Sequence, residues 1–175
     1  MALILVTGLF GSGKSAVYRE LIRRGHEAYG FDEDGFGEWI DTSTGRVVPF
    51  PTERSEGDTV DLEFVVHHDK LAALAEATSA RVAYLCGGAG HEFRFWDLLA
   101  EVVYLNVDDD TLASRLTSRT DNGYGKAPAE LSGILEANGI WANTYRARGA
   151  VVLDATRPLV AIVDDVVAIG GHRRF

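Results

Sequence analysis

GLFGSGKS, residues 8–15, follows the apolar run Ala2–Val6 with only Thr7 between and opens a stretch of helical periodicity, Ser15–Arg24. Gly8-x-x-x-x-Gly13-Lys14-Ser15 is a complete Walker A spacing, set between a strand and a helix as that motif requires. Glycine leaves no Cβ between the backbone and an incoming anion, so Gly8, Gly11, Ser12 and Gly13 can turn successive N–H groups inward around phosphate oxygens. The helix N-terminus adds its positive end. In that setting Lys14 bridges the β- and γ-phosphates, and the Ser15 hydroxyl holds Mg²⁺. The competing reading is a glycine-rich turn with an incidental lysine. Lys14, Lys70 and Lys126 are the only lysines of the chain, the other basic side chains being arginine, which argues against surface filler. No Asn-Lys-x-Asp element for selecting guanine occurs, so ATP is the expected nucleotide.

Outward from this loop, short apolar strands alternate with amphipathic helices, the pattern of a parallel sheet covered on both faces. The spacing predicts strands over Leu3–Val6, Glu27–Phe31, Arg81–Cys86, Val102–Val107 and Val151–Leu153. Helices are predicted over Ser15–Arg24, Asp61–Ala77 (burying Leu62, Val65, Val66, Ala73 and Ala77), Phe93–Ala100, Thr111–Arg119, a long stretch ending near Arg148, and Pro158–Ile169. The acidic run Asp108–Asp110 is placed to cap the fourth of these helices. Residues 35–60 are rich in Gly, Pro, Thr and charge and form a long connection, a kind that is usually functional or mobile. The expected fold is an α/β doubly wound domain of five strands, with ligands beyond the carboxyl ends of the strands.

At 175 residues and 46% hydrophobic content the chain suits one domain, residues 1–175. Its formal charge of -9 argues against nucleic acid or an anionic membrane surface as a partner. Cys86 is the only cysteine, which excludes an internal disulfide and a cysteine-based zinc site and fits a cytoplasmic setting. No run approaches the roughly 18 apolar residues of a membrane helix. His67 and His68 are adjacent on a predicted helix and cannot form a one-face metal pair. Trp39, Trp96 and Trp141 are widely spaced and read as core or pocket wall.

Together with the P-loop, FDED at 31–34, CGGAG at 86–90 and the Arg115-x-x-x-Arg119 pair resemble the small P-loop kinases of the shikimate kinase, gluconate kinase and adenylate kinase group. The resemblance implies a P-loop three-layer sandwich with a five-stranded parallel sheet of order 2-3-1-4-5. It also implies an acceptor-site excursion over about 35–60 and a small lid over about 119–130. By the same resemblance Asp32 supports the Mg²⁺ shell, and Asp34 meets the acceptor hydroxyl as a catalytic group beside Lys14 and Arg119. Gly87, Gly88 and Gly90 present backbone N–H groups to the substrate, with Ala89 as a departure from the family's glycine triplet. Arg115 and Arg119 contact the nucleotide, the second from the lid hinge; Lys126 enters with the lid; Thr156 lies in the segment beside the adenine. Asp32–Asp34 also reads as a solvated acidic turn, and the arginine pair as a basic helix end.

The expected function is ATP-dependent phosphoryl transfer to a hydroxyl of a small metabolite. Arg54 and Arg94 are available to an anionic group of the acceptor, or are surface residues. A nucleoside monophosphate kinase would want at least two such arginines, and a nucleotide-binding regulator would need no acceptor. Shikimate is expected to be a poor acceptor, because the helix after FDED reads VDLEFVVHH without arginine and the lid reads RTDNGYGK.

Overall fold

The computed structural model describes residues 3–49, 62–88, 92–120 and 123–172. The apolar run after the N-terminus becomes β1 (Leu3–Thr7), buried along its whole length. Its alternate residues feed opposite faces of a sheet. Leu3 and Leu5 enter one core cluster with Leu71, Leu85, Phe31 and Tyr104, while Ile4 and Val6 enter another with Val17, Leu21, Leu112 and Val163. The flanking elements follow from this two-sided burial. They are α1 (Lys14–Arg23), β2 (Ala28–Gly30), β3 (Gly37–Asp41), β4 (Arg46–Val47), β5 (Leu62–Val66), α2 (His68–Ala77) and β6 (Ala83–Cys86). Then come β7 (Glu101–Asn106), α3 (Asp109–Ser118), α4 (Pro128–Ala147), β8 (Val151–Asp154) and α5 (Leu159–Gly171).

The larger sheet is five-stranded and parallel, in the order β2-β6-β1-β7-β8. Counting only its own strands, that order is 2-3-1-4-5, as the resemblance implied. Helices α1, α3 and α5 supply Leu21, Leu112, Leu116, Ile162 and Val166 to one face, and α2 supplies Leu71, Leu74 and Ala75 to the other. Helix α4 serves both, with Ile134 in the cluster of Ile4 and Val6 and with Ala142 and Tyr145 in that of Leu3 and Leu5. Asp108 caps α3 as its position suggested, accepting from the Thr111 N–H at 2.7 Å. Among the described residues no helix is long and apolar enough to cross a membrane.

Two sequence-based expectations are corrected. The helix predicted from Asp61 begins only at His68, and Leu62–Val66 is instead a strand, antiparallel to Gly37–Asp41 with Trp39 opposite Phe64. The β-branched and aromatic character of Leu-Glu-Phe-Val-Val favours a pleated surface, and its period is two: Phe64 is 4% exposed, Val65 37%. With β4 these strands form a small three-stranded sheet, β4-β3-β5, whose first two strands lie in the region read as a connection and whose third lies in the region read as a helix. The short helix expected over 93–100 is a pair of 3₁₀ turns, Glu92–Arg94 and Trp96–Leu98. Glu92 and Phe95, three residues apart, both turn inward, the side-chain repeat of a 3₁₀ turn.

The strand assignment is testable by denaturation. Phe64→Ala should lower stability by about 3–5 kcal/mol, as for a truncated core phenylalanine, whereas Val65→Ala should change it by well under about 1 kcal/mol. A helix burying Val65 demands the reverse ranking.

Candidate functional site

Thr7 ends β1 in the middle of the sheet, and the loop from Gly8 to Gly13 carries the chain into α1. Gly13, the N-cap, sits at φ 106°, a left-handed conformation that costs glycine little. A Cβ on Gly8 would lie 2.6 Å from Ser12 Oγ and 2.7 Å from the Leu105 carbonyl oxygen, so the loop closes only with glycine there. Ser12 is buried inside the loop, and its hydroxyl has no hydrogen-bond partner among the described residues. A tight cradle at a helix N-terminus, with a buried hydroxyl unspent, suits a polyphosphate.

Lys14 folds back over this cradle, donating from Nζ to the carbonyl oxygens of Gly8 at 2.7 Å and Leu9 at 2.8 Å. Burial lowers its pKa to about 8, against the opposing pull of Glu92 and then Asp32. Arg115 braces the loop from behind: its guanidinium donates to the carbonyls of Ser12 at 3.3 Å and Ala155 at 2.9 Å, tying the P-loop to the turn after β8. Arg119 donates to the Tyr124 carbonyl, and the Tyr124 and Phe10 rings meet at 4.6 Å, so Tyr124 rests on the P-loop.

The cradle opens into one cavity of about 480 Å³. Of the residues singled out from sequence, Gly8, Gly11, Gly13, Lys14, Ser15, Asp32, Gly87, Gly88, Arg115 and Arg119 share its wall. Asp32 accepts a hydrogen bond from the Trp39 side chain; burial first, and then neighbouring Glu33, raise its carboxyl above the usual range. Glu33 and Trp39 line the cavity too.

Asp34 departs from its expected place. It is off the cavity wall, and its carboxylate accepts from the Gly30 N–H at 2.7 Å and the Tyr18 hydroxyl at 3.3 Å, closing the turn that follows β2. Arg94 is exposed and off the wall, as is Lys126. Thr156 spends both its N–H and its hydroxyl on Asp154 and is also off the wall. Arg54 and Gly90 lie outside the described residues. The Cys86 thiol is pushed up by burial, consistent with a small core residue rather than a nucleophile. His67 and His68 are exposed, and no group of three or more acidic, histidine or cysteine side chains suited to a metal occurs among the described residues.

Sequence reading missed Glu92, Tyr104 and Tyr145, all on the wall, whereas Trp39 and Trp141, read as core or pocket wall, do line it. Glu92 follows the glycine-rich 87–90 loop and was the one with a local signal. The two tyrosines carry no local signal that separates them from core.

A family model described as AAA domain matches residues 4–136, the span from β1 into α4. The chain belongs to the AAA domain family. No curated protein matches its sequence. Among solved structures it is similar to a shikimate kinase from Acinetobacter baumannii in complex with shikimate, at 19% identity and TM-score 0.61, covering 97% of this chain and 92% of that one. It is also similar to a gluconokinase from Sinorhizobium meliloti 1021, at 21% identity and TM-score 0.55, with 98% and 92% covered. A shikimate kinase from Bacteroides thetaiotaomicron superposes at 14% identity and TM-score 0.57, with 96% and 97% covered. At these identities the likeness establishes that this AAA domain chain has the fold of the small P-loop kinases.

The depressed Lys14 amine sets a pH signature. With a pKa of about 8 it is partly neutral at pH 8.5, and a bound polyanion restores its charge. Inorganic tripolyphosphate sheds protons of its own on binding in this pH range, so the Lys14 share is the difference between the parent and Lys14→Met in the protons exchanged on binding, read from binding heats in buffers of different ionisation enthalpy. That difference should be an uptake at pH 8.5 and should vanish at pH 6.5, where the free amine is already protonated. The same proton exchange in parent and Lys14→Met at pH 8.5 would contradict this assignment.

Proposed function

We propose that the chain transfers the γ-phosphoryl group of ATP to a hydroxyl group of a small metabolite. The observation that carries this reading is the continuity of one cavity. The P-loop with Lys14 and Ser15 forms one part of its wall, and Asp32, Glu33, Trp39 and Glu92 form another. A phosphoryl donor and an acceptor can meet there without crossing bulk solvent, which favours transfer over hydrolysis.

In this reading the P-loop N–H groups and Lys14 hold the β- and γ-phosphates, and Arg119 faces the charge that develops during transfer. The Ser15 hydroxyl and Asp32 would hold Mg²⁺, which supplies charge neutralisation on the phosphates; one carboxylate and one hydroxyl suit an ion that takes its other ligands from phosphate and water. The acceptor oxygen forms the new bond to the γ-phosphorus as the bond to the β–γ bridging oxygen breaks, and ADP carries that electron pair away. The acceptor's proton passes to a wall carboxylate. The role expected of Asp34 falls to Glu33, with Asp32 engaged on the metal side. A phosphate acceptor is disfavoured because Arg94 stands off the wall, while Asp32, Glu33 and Glu92 stand on it. Shikimate, a carboxylate, remains an expected poor acceptor on the same ground.

Acceptor-dependent ADP formation across a panel of sugars, cyclitols, nucleosides and nucleoside monophosphates tests the proposal. Lys14→Ala should abolish it in a folded protein. Glu33→Gln should lower turnover by about 10²–10⁴, the share of a positioned general base, with Mg-ATP affinity kept. Asp34→Asn should have little effect, since the amide oxygen can still accept from Gly30. ADP release indifferent to every acceptor, or undiminished in Lys14→Ala, would sink the reading. Mg-ATP binding without turnover would instead favour a regulator.

A further inference from the structure

The cavity wall draws on both faces of the sheet. Leu9 and Phe10 of the P-loop pack on the core cluster of Ile4 and Val6, which also holds Ala155 of the turn after β8. Trp39, Tyr104, Trp141 and Tyr145 belong to the cluster of Leu3 and Leu5 on the other face. The aromatic part of the wall is therefore separate from the side expected to meet adenine. Both signs of charge line the cavity, Lys14, Arg19, Arg115 and Arg119 against Asp32, Glu33 and Glu92, so sign of charge does not select the ligand. Glu92 is answered from within the protein: it accepts from the Thr7 hydroxyl at 3.1 Å, and the Tyr145 hydroxyl is hydrogen-bonded to it.

Tyr104 is left over. It is 2% exposed and lines the cavity, yet its hydroxyl has no hydrogen-bond partner among the described residues. Burial first, and then Glu92, push this phenol up to about 12, so it keeps its proton near neutral pH and is free to donate it. Tyr104 pairs in register with Thr7, and Gly8 opens the P-loop one residue later, so the unspent donor belongs to the strand beside the root of the phosphate cradle. A buried polar group is ordinarily satisfied, and on a cavity wall a ligand oxygen can be its partner. Trp141 stands one helical turn before Tyr145 on α4, held by the Phe93 ring at 6.2 Å and by Tyr145 at 6.1 Å. Tyr104 and Tyr145 are in contact, with centroids 4.6 Å apart, which leaves no slot between them for a flat ring. The wall is thus a one-sided aromatic platform with a proton donor in it.

We propose, resting on the phosphotransferase reading, that this platform is the acceptor subsite and that it takes an uncharged cyclic polyol, the class of pyranose sugars and cyclitols, one oxygen of which accepts from Tyr104 while its C–H face lies on Trp141. Such a ring carries C–H bonds on its faces and hydroxyls around its edge. One rigid molecule can therefore meet the platform, whose ring face is electron-rich, and the phenol together. A neighbouring hydroxyl of the same ring is then presented to the γ-phosphate. The nearness of Tyr104 to the P-loop root favours a single ring over a base joined to a ribose, and rigidity favours a ring over an open chain that must be ordered on binding. Tyr104 recognises the acceptor and takes no proton from it.

The probes are glucose, galactose and myo-inositol as cyclic polyols, sorbitol as an open chain, gluconate and glucosamine as charged forms, and adenosine and cytidine as nucleosides. Two readouts are taken: ADP formation with Mg-ATP, and calorimetric binding in the presence of a non-hydrolysable ATP analogue. A cyclic polyol should bind best, exceeding sorbitol by about tenfold or more, the scale of a few immobilised rotors. Among the monodeoxy forms of that best ring, one should bind about two- to tenfold more weakly for want of a single hydrogen bond. In Tyr104→Phe that deficit should vanish at the same ring position and persist at the others, the sign of a direct pair. Tyr104→Phe should keep affinity for the ATP analogue and should not lower the Tm of the free protein, since the hydroxyl bonds nothing there; a lower Tm marks a structural hydroxyl and overturns the proposal. Trp141→Leu should weaken the ring polyols by about tenfold and Trp141→Phe by less; if Trp141→Leu does not melt cooperatively, Trp141→Phe must keep the ring preference. Best binding by sorbitol, a charged probe or a nucleoside, or no monodeoxy deficit coupled to Tyr104, overturns the proposal. Ring polyols that bind with that coupling and yield no ADP uphold the subsite while refuting the phosphotransferase reading. ADP formation with an acceptor that ignores both Tyr104→Phe and Trp141→Leu keeps the phosphotransferase reading and refutes the subsite.

Discussion

The position of β1 between β6 and β7 is the constraint on which the rest of the site depends. Parallel pairing sets Val6 beside Cys86 on one side and Thr7 beside Tyr104 on the other. Three chain segments far apart in sequence therefore end at one level. The P-loop leaves from Thr7, the glycine-rich turn from Cys86, and Tyr104 stands in the third strand at the same height. Hydrogen bonding between parallel strands admits no half-step, so a slip of one residue would turn Thr7 and Tyr104 to the opposite face and dismantle the cavity. The crevice beyond the carboxyl ends of the strands is where α/β sheets place their ligands, and here the reason is visible residue by residue.

Electrostatics divides the cavity. A chain of net charge -9 repels anions at long range. It accommodates one only where backbone N–H groups, the α1 N-terminus and Lys14 converge. Lys14 bears the strain of that arrangement: burial drives its amine towards neutrality, while Glu92 and Asp32 hold it charged. The nearby carboxylates thus oppose the neutralisation of the P-loop lysine that burial favours.

The three-stranded sheet β4-β3-β5 steadies the Asp32 end of the cavity as Arg119 and Tyr124 steady its P-loop end. Trp39, on β3, reaches over to hydrogen-bond Asp32, and its ring packs on Phe64 of β5 at 5.1 Å. That contact holds the turn after β2 with Asp32 and Glu33 towards the cavity, while Asp34 is drawn back onto Gly30. Two residues' difference along one turn decides which carboxylate can meet a ligand, because alternate positions of a short turn point in different directions.

Sequence alone determined the P-loop, the sheet order implied by its family likeness, and the elements whose signals are local: β1, α1 with its glycine-bound start, and α3 with its Asp108 cap. Each rests on neighbours within a few residues, so periodicity and loop chemistry expose it directly. Local pattern misassigned Leu62–Val66, because a five-residue apolar stretch running into a helix satisfies both periods until a partner strand is known, and that partner, Gly37–Asp41, lies more than 20 residues away. The grouping of Glu92, Tyr104 and Tyr145 on the cavity wall was invisible for a similar reason. Its members come from a 3₁₀ turn, a strand and a long helix, and each alone has the look of ordinary core. Only the packing of α4 against β7 and β8 brings them to one wall, because burial in a folded chain depends on distance in space and not on separation along the sequence.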